Sequence, residues 1–165
     1  MTDISTGTLI WSSSNTNPVL FSPDGALFAA FTNPQNPQGT ANIFQNGTLV
    51  AAISGTPVGW VDDNQLLVDN YVGNAGCNCF LYNGTTIYGP TGTSLSTPPL
   101  PSFTTIQTVA ADTVYSNEYN SIYSTTNGAV TWTGTPPSST SNSLGAVAGG
   151  YAVIQAGSQI VAEKY

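Results

Sequence analysis

Short runs of apolar and β-branched residues alternate with tight-turn sequences along most of the chain, which predicts β-strands joined by hairpins. The same order recurs: two apolar strands around a two-residue turn, a variable loop, and two further strands around a turn of the Asn-Gly type. Equivalent positions of the first strand are 39, 48 and 38 residues apart, at Val19, Val58, Ile106 and Leu144. The pattern predicts an all-β chain built from an internal repeat.

Turn residues recur in register with these strands. The first turns are predicted at Asp24-Gly25, Asp63-Asn64, Ala111-Asp112 and Gly149-Gly150, and the second turns at Asn46-Gly47, Asn83-Gly84 and Asn127-Gly128. Gly, Asn and Asp tolerate the positive φ that two-residue hairpin turns require. Each of these pairs is therefore expected to close a hairpin.

The two ends of the chain complement each other. The fourth copy lacks a fourth strand, and the N-terminal segment TGTLIWSS resembles the fourth strands NGTLVAAIS and NGAVTWTGT. Residues 8–12 are therefore expected to form the outer strand of the sheet that contains residues 159–163. Stacking around an axis buries both faces of a four-stranded sheet and leaves only short edges exposed.

We therefore predict a single domain, residues 1–165, that forms a four-bladed β-propeller of four-stranded antiparallel blades, with the N-terminal strand completing the last blade. The expected blades cover residues 17–55, 56–94, 103–135, and 142–165 with 5–14. A dimer that forms an eight-bladed ring, a piece of a longer propeller, a β-sandwich and a β-solenoid are the alternatives.

One copy of the repeat resembles known propeller families. The segment SPDGALFAAF followed by ANIFQNGT is similar to TolB-like and WD-repeat blades, which carry an SPDG turn, a hydrophobic second strand and a third strand with an aromatic residue. The Trp-Asp dipeptide of WD repeats is absent. The resemblance implies the propeller fold and transfers no activity.

The composition of the chain argues against several classes of binding partner. The chain has 40% hydrophobic residues, 5% charged residues, one basic residue and a net charge of -7. Such a chain lacks the basic surface by which proteins bind nucleic acid or anionic membranes, and no apolar run is long enough to span a bilayer. No signal peptide is visible at the N-terminus. The uncharged polar surface is typical of extracellular or particle-borne β-proteins, such as those on a virion or cell surface.

Catalytic groups are scarce. There is no His, and the one basic residue is Lys164, so the usual general base and the usual partner of a nucleophilic Ser are missing. Asp62, Asp63 and Asp69 are the remaining candidates for paired carboxylates, but Asp62 and Asp63 fall at a predicted turn, where Asp is common. No calcium-loop pattern occurs. We expect a protein that is not an enzyme and has no cofactor.

The two cysteines, Cys77 and Cys79, leave three interpretations open. Residues two apart on a straight strand lie near the upper distance limit for a disulfide, so a bridge requires a bent backbone. A local disulfide, two free thiols and a metal or redox role are the alternatives. Two thiolates alone do not complete a zinc site.

Two groups of residues are candidates for binding. Trp11, Tyr88 and Trp132 occupy equivalent positions four residues after the turn glycine, where they either stack on sugars or fill the space between blades, whereas Trp60 is expected in the core. A Pro-rich insertion, residues 91–104, is a candidate partner-docking loop through Pro98, Pro99, Leu100, Pro101 and Phe103. We expect a non-enzymatic assembly or decoration module that binds a protein partner or forms a homo-oligomer, with a glycan-binding lectin as the alternative.

Overall fold

The chain is an all-β protein, as the sequence predicts. The computed structural model describes residues 19–32, 38–77, 79–103, 106–110, 112–116, 119, 121–134, 145–148, 150–156 and 159–165. These residues form no α-helix, and thus no helix long and apolar enough to cross a membrane. The strands are β1 (Val19–Phe21), β2 (Leu27–Thr32), β3 (Thr40–Gln45), β4 (Thr48–Ser54), β5 (Thr56–Asp62), β6 (Gln65–Asn74), β7 (Cys79–Tyr88), β8 (Ser94–Ser96), β9 (Ile106–Ala110), β10 (Thr113–Ser116), β11 (Ser121–Ser124), β12 (Val130–Thr133), β13 (Gly145–Ala148), β14 (Tyr151–Ala156) and β15 (Gln159–Lys164).

The strands form four antiparallel sheets in which each strand pairs with its neighbours in sequence. The orders are β1-β2-β3-β4, β5-β6-β7-β8, β9-β10-β11-β12 and β13-β14-β15. Short hairpin connections account for this local pairing. The fourth sheet has three strands in the described part of the chain, and the outer strand predicted for it, at residues 8–12, lies outside that part.

Most predicted turns are confirmed. Asn46 and Gly47 both have positive φ, at 49° and 77°, as a two-residue hairpin turn with twisted flanking strands requires. Asp24-Gly25 lies in a turn in which the Gly25 N–H donates to the carbonyl oxygen of Ser22 over 2.9 Å. Asp63-Asn64 and the segment around Gly128 are turns as well. Of the remaining three pairs, two include a residue outside the described part of the chain, Ala111 and Gly149.

The turn predicted at Asn83-Gly84 is wrong. Strand β7 continues through both residues, which stand opposite Asn70 in a bulge between the pairs Asp69–Thr85 and Tyr71–Tyr82. Gly84 has a φ of 91°, so the bulge uses the same backbone freedom that a turn would use. The third strand of this sheet is therefore longer than expected, and its fourth strand is β8.

The second sheet is buried on both faces. Its Trp60, Leu66 and Val68 pack against the first sheet, in a core with Leu27, Ala29, Ala41, Ile43 and Ile53. On the opposite face Val58, Val61, Leu67 and Ile87 pack against the third sheet, in a core with Leu100, Phe103, Ile106, Val114 and Tyr123. Alternation along β6 and β7 sends successive side chains to opposite faces. The second sheet thus shares one core with the first sheet and another with the third.

The first strands of consecutive sheets lie side by side. Strand β5 contacts β1 and β9, and β9 contacts β13. The buried Trp60 joins three of them, because its indole N–H donates to the carbonyl oxygen of Leu20 over 2.9 Å and its own carbonyl oxygen accepts from the Thr108 hydroxyl over 2.7 Å. A Cβ on Gly59 would lie 2.5 Å from Cγ1 of Ile106, so only glycine allows β5 and β9 to approach this closely.

Candidate functional site

A hairpin projects from one end of the second sheet. Strands β6 and β7 are ten residues long, whereas β5 pairs with β6 only as far as the pair Thr56–Asp69. Beyond it, the pairs Tyr71–Tyr82, Val72–Leu81, Gly73–Phe80 and Asn74–Cys79 continue the ladder. We call residues 71–82 the projecting hairpin. It extends beyond the end of β5, the first strand of this sheet, and outside the region where the sheets pack together.

A disulfide between Cys77 and Cys79 closes the tip of the projecting hairpin. The two Cα atoms are 5.2 Å apart, because Cys77 lies in a turn before Cys79 begins β7. The side chain of Asn74 shapes that turn by accepting from the N–H of Gly76 over 2.9 Å. Of the three interpretations of these cysteines, the local disulfide is confirmed. It fixes the turn at the free end of the hairpin to the first residue of β7.

The projecting hairpin exposes apolar side chains and carries no charge. Val72, Phe80 and Leu81 are 44%, 40% and 48% exposed. Residues 70–83 contain no acidic or basic residue, in a chain with a net charge of -7. Beside the disulfide lies an open cavity of about 460 Å³, lined by Gly73, Asn74, Ala75, Cys79 and Phe80. Exposed apolar groups beside a concave surface are typical of protein-binding sites.

Sequence reasoning placed residues 72–78 in a variable loop after the second strand and residues 79–82 in an ordinary third strand. One signal was available, because Tyr71-Val72 and Phe80-Leu81 are adjacent apolar pairs that break the alternation of a half-buried strand. Adjacent apolar residues on both strands of a hairpin expose an apolar side chain on each of its faces.

The base of the projecting hairpin is anchored by the buried carboxylate of Asp69. Its two oxygens accept from the Thr85 hydroxyl over 3.1 Å, from the Ser102 hydroxyl over 2.8 Å and from the Phe103 N–H over 3.1 Å. Two of these donors belong to the segment that joins the second and third sheets. A buried carboxylate is stable only when such donors surround it. Asp69 therefore fixes the connecting segment against the base of the hairpin.

Two tyrosines of the hairpin reinforce this anchor. The Tyr82 hydroxyl donates to the carbonyl oxygen of Leu100 over 2.6 Å, and the Tyr71 hydroxyl lies 3.1 Å from the Ser102 hydroxyl. Burial is the main cause that raises the pKa of Tyr82. The phenol therefore keeps its proton at neutral pH and remains a donor to Leu100.

The docking loop predicted at the Pro-rich insertion is wrong for its apolar residues. Leu100 and Phe103 are buried in the core between the second and third sheets, and Pro98 is buried as well. Pro99 is exposed and Pro101 is half-buried. The insertion contributes core contacts, so it does not present the continuous apolar surface that docking requires.

The candidate aromatics do not form one repeated site. Trp11 lies outside the described residues. Tyr88 lies on β7, the third strand of its sheet, and packs half-buried against the core shared with the first sheet. Trp132 lies on β12, with its ring centroid 6.5 Å from that of Tyr115 and 6.3 Å from that of Tyr165. The equivalence of Tyr88 and Trp132 is therefore wrong, and Trp132 contacts one ring of its own sheet and the ring of Tyr165, which follows β15.

Acidic residues gather at the opposite end of the sheets. Asp63 follows β5, at the end of β6 remote from the projecting hairpin, and its carboxylate accepts from the Asp24 N–H over 2.8 Å. The Ala26 N–H, and after it the Ser22 hydroxyl, lower the pKa of Asp24. In the described part of the chain no three acidic or Cys residues are close enough to hold a metal ion. These carboxylates belong to turns.

A second cavity lies where the first strands meet. It measures about 380 Å³ and is lined by Val19, Leu20, Phe21, Pro23, Gly59, Trp60, Ile106, Gln107 and Thr108. The Trp60 indole N–H and the Thr108 hydroxyl are already paired with backbone carbonyls of neighbouring strands. The polar groups of Trp60 and Thr108 thus hold neighbouring strands together and leave few hydrogen-bonding groups for a ligand.

Comparison with known proteins gives no relative: no family model, no curated protein and no solved structure matches the chain.

Reduction of the Cys77–Cys79 disulfide is expected to loosen the hairpin tip and leave the rest of the fold intact. So short a loop gains little from cross-linking, so the free energy of unfolding should fall by about 2 kcal/mol or less. Hydrogen exchange should accelerate at residues 75–80 alone. A Cys77→Ser, Cys79→Ser variant should show no further change with reductant, and loss of the whole fold on reduction would contradict this assignment.

Proposed function

We propose that the chain is a four-bladed β-propeller that acts as a non-enzymatic protein-binding module, an assembly or decoration component on an extracellular or virion surface. The single observation that carries the function is the projecting hairpin, with its exposed Val72, Phe80 and Leu81 and its disulfide-closed tip. Rigid apolar groups bind a partner with little loss of conformational freedom.

Two features support the propeller. Each of the four sheets has its strands in sequential order, and the first strands β1, β5, β9 and β13 lie in a row of neighbours. The second sheet shares one core with the first sheet and another with the third. Blades stacked around an axis have this arrangement, with first strands innermost.

Other features support a binding role outside the reducing cytoplasm. The chain has no His and one basic residue, so acid–base and nucleophilic catalysis lack their usual groups. Disulfides such as Cys77–Cys79 persist mainly in oxidising environments. The absence of charge on the hairpin favours a partner with an apolar surface over a polyanion or polycation.

Fractionation of the native source tests this function. We expect the wild-type protein to sediment with a larger assembly, and a Phe80→Ser, Leu81→Ser variant to remain free. A Leu49→Ser, Val130→Ser variant is the matched control, because both residues are 53% exposed and lie away from the hairpin. Wild-type protein that is always free, or a hairpin variant that sediments normally, would refute the proposal.

A further inference from the structure

We infer that the partner of the projecting hairpin is the same hairpin of a second copy, paired edge to edge along residues 79–81 of β7. The inference rests on the proposed function and names its partner. In the described part of the chain, β8 pairs with β7 only at Ile87 and Tyr88, so no strand covers the edge at residues 79–81. An uncovered strand edge is a template for another strand.

This edge lacks the features by which proteins protect such edges. Edge strands usually carry charges or proline, or are very short, and residues 70–83 contain neither charge nor proline. Two other outer strands have side chains packed against a neighbouring part of the fold: Ala51 on β4 lies beside Gly92, and Trp132 on β12 packs against Tyr165. Strand β8 has three residues and is followed by prolines. In the described part of the chain, the edge of the projecting hairpin has no paired strand, no charge and no proline.

The distribution of charge favours a second copy of the chain as the partner of the projecting hairpin. Two chains with a net charge of -7 repel each other wherever their carboxylates meet. Asp24 and Asp63 lie at the end of the sheets remote from the hairpin, so contact through the hairpins keeps these carboxylates apart. Since the hairpin carries no carboxylate, nothing on it selects a basic partner. Two uncharged apolar surfaces, in contrast, match each other.

A two-fold axis relates the two hairpins in such a dimer. Two identical edges pair antiparallel about a two-fold axis, and the two hairpins then form one four-stranded sheet. Leu81 of one copy lies diagonally across the pairing from Leu81 of the other, within reach of long side chains. Backbone hydrogen bonds hold the strands, and Phe80 and Leu81 bury part of their exposed surface. So small an interface predicts a reversible dimer that depends on concentration.

Sedimentation velocity of the oxidised full chain over a range of concentrations tests the inference. We expect the wild-type protein to shift from monomer to dimer. Leu81→Lys and Leu81→Glu should each weaken dimerisation by roughly tenfold or more, because like charges meet across the two-fold axis. An equimolar mixture of the two variants should dimerise again, which loss of folding would not produce. Circular dichroism and thermal unfolding of each variant verify the fold.

Leu49→Lys is the matched control, because Leu49 is a 53% exposed leucine on the outer strand β4. It should leave the dimer unchanged. A wild-type protein that stays monomeric at all concentrations, an equal loss with Leu49→Lys, or a mixture that stays monomeric would each overturn the inference. If monomeric protein still enters a native assembly through the hairpin, the proposed function stands and the partner is a different protein.

Discussion

Replacement of Trp60 by alanine is expected to lower the free energy of unfolding by about 3–5 kcal/mol, the largest effect of any single substitution considered. Trp60 is buried in the core between the first and second sheets. The substitution leaves a cavity there and also removes the indole N–H that donates to Leu20 of β1. Chemical denaturation monitored by circular dichroism measures the change.

Trp60→Phe distinguishes the contribution of packing to the free energy of unfolding from the contribution of the hydrogen bond. It retains most of the apolar volume but leaves the carbonyl oxygen of Leu20 without the indole donor, which should cost about 1–3 kcal/mol. Trp132→Ala is the matched control, because Trp132 is half-buried on the outer strand β12 and should lose less than Trp60→Ala. Equal losses at the two positions would contradict the central role given to the first strands.

Replacement of Asp69 by alanine is expected to lower the free energy of unfolding by about 2–4 kcal/mol. The hydroxyls of Thr85 and Ser102 retain a contact with Tyr82 and Tyr71, but the Phe103 N–H loses the side-chain acceptor that anchors the connecting segment. Hydrogen exchange should therefore accelerate in residues 100–103 as global stability falls. Denaturation and exchange measurements on the same sample test both effects.

Asp69→Asn should lie between the wild type and Asp69→Ala. The amide keeps one acceptor oxygen for the Phe103 N–H, and a hydroxyl can rotate to accept from its NH2 group. Asp62→Ala is the matched control: Asp62 is half-exposed at a turn, where it accepts from the Asn64 N–H and from the Gln65 amide. It should cost about 1 kcal/mol or less. If Asp62→Ala were as harmful as Asp69→Ala, burial of the carboxylate would not explain its effect.

The sequence was sufficient to predict the all-β class and most of the hairpins. Asn46-Gly47 is a turn because its neighbours, Gln45 and Thr48, are the last pair of a ladder. Asn83-Gly84 has the same local preference for positive φ, yet it forms a bulge because β6 is long enough to pair on both sides of it. Local chemistry cannot separate the two outcomes, since a turn and a bulge both accept the same backbone conformation.

The site could be predicted less well, because it depends on contacts between distant parts of the chain. Pro-rich composition predicts an exposed docking loop within residues 91–104, whereas Leu100 and Phe103 are buried between two sheets. Asp69 was grouped with Asp62 and Asp63 by proximity in sequence. Its position after the apolar run Leu66 to Val68 was the better signal, because a carboxylate on a buried strand must find donors elsewhere.

Nuclear Overhauser contacts between strands test the closure of the ring most directly in solution. The four-bladed ring predicts cross-strand backbone contacts between residues 8–12 and residues 159–163, with the N-terminal segment completing the fourth sheet. The same spectra should show the contact between the Trp60 indole proton and residues of β1. Contacts from residues 8–12 to any other strand, or to none, would contradict the closed ring.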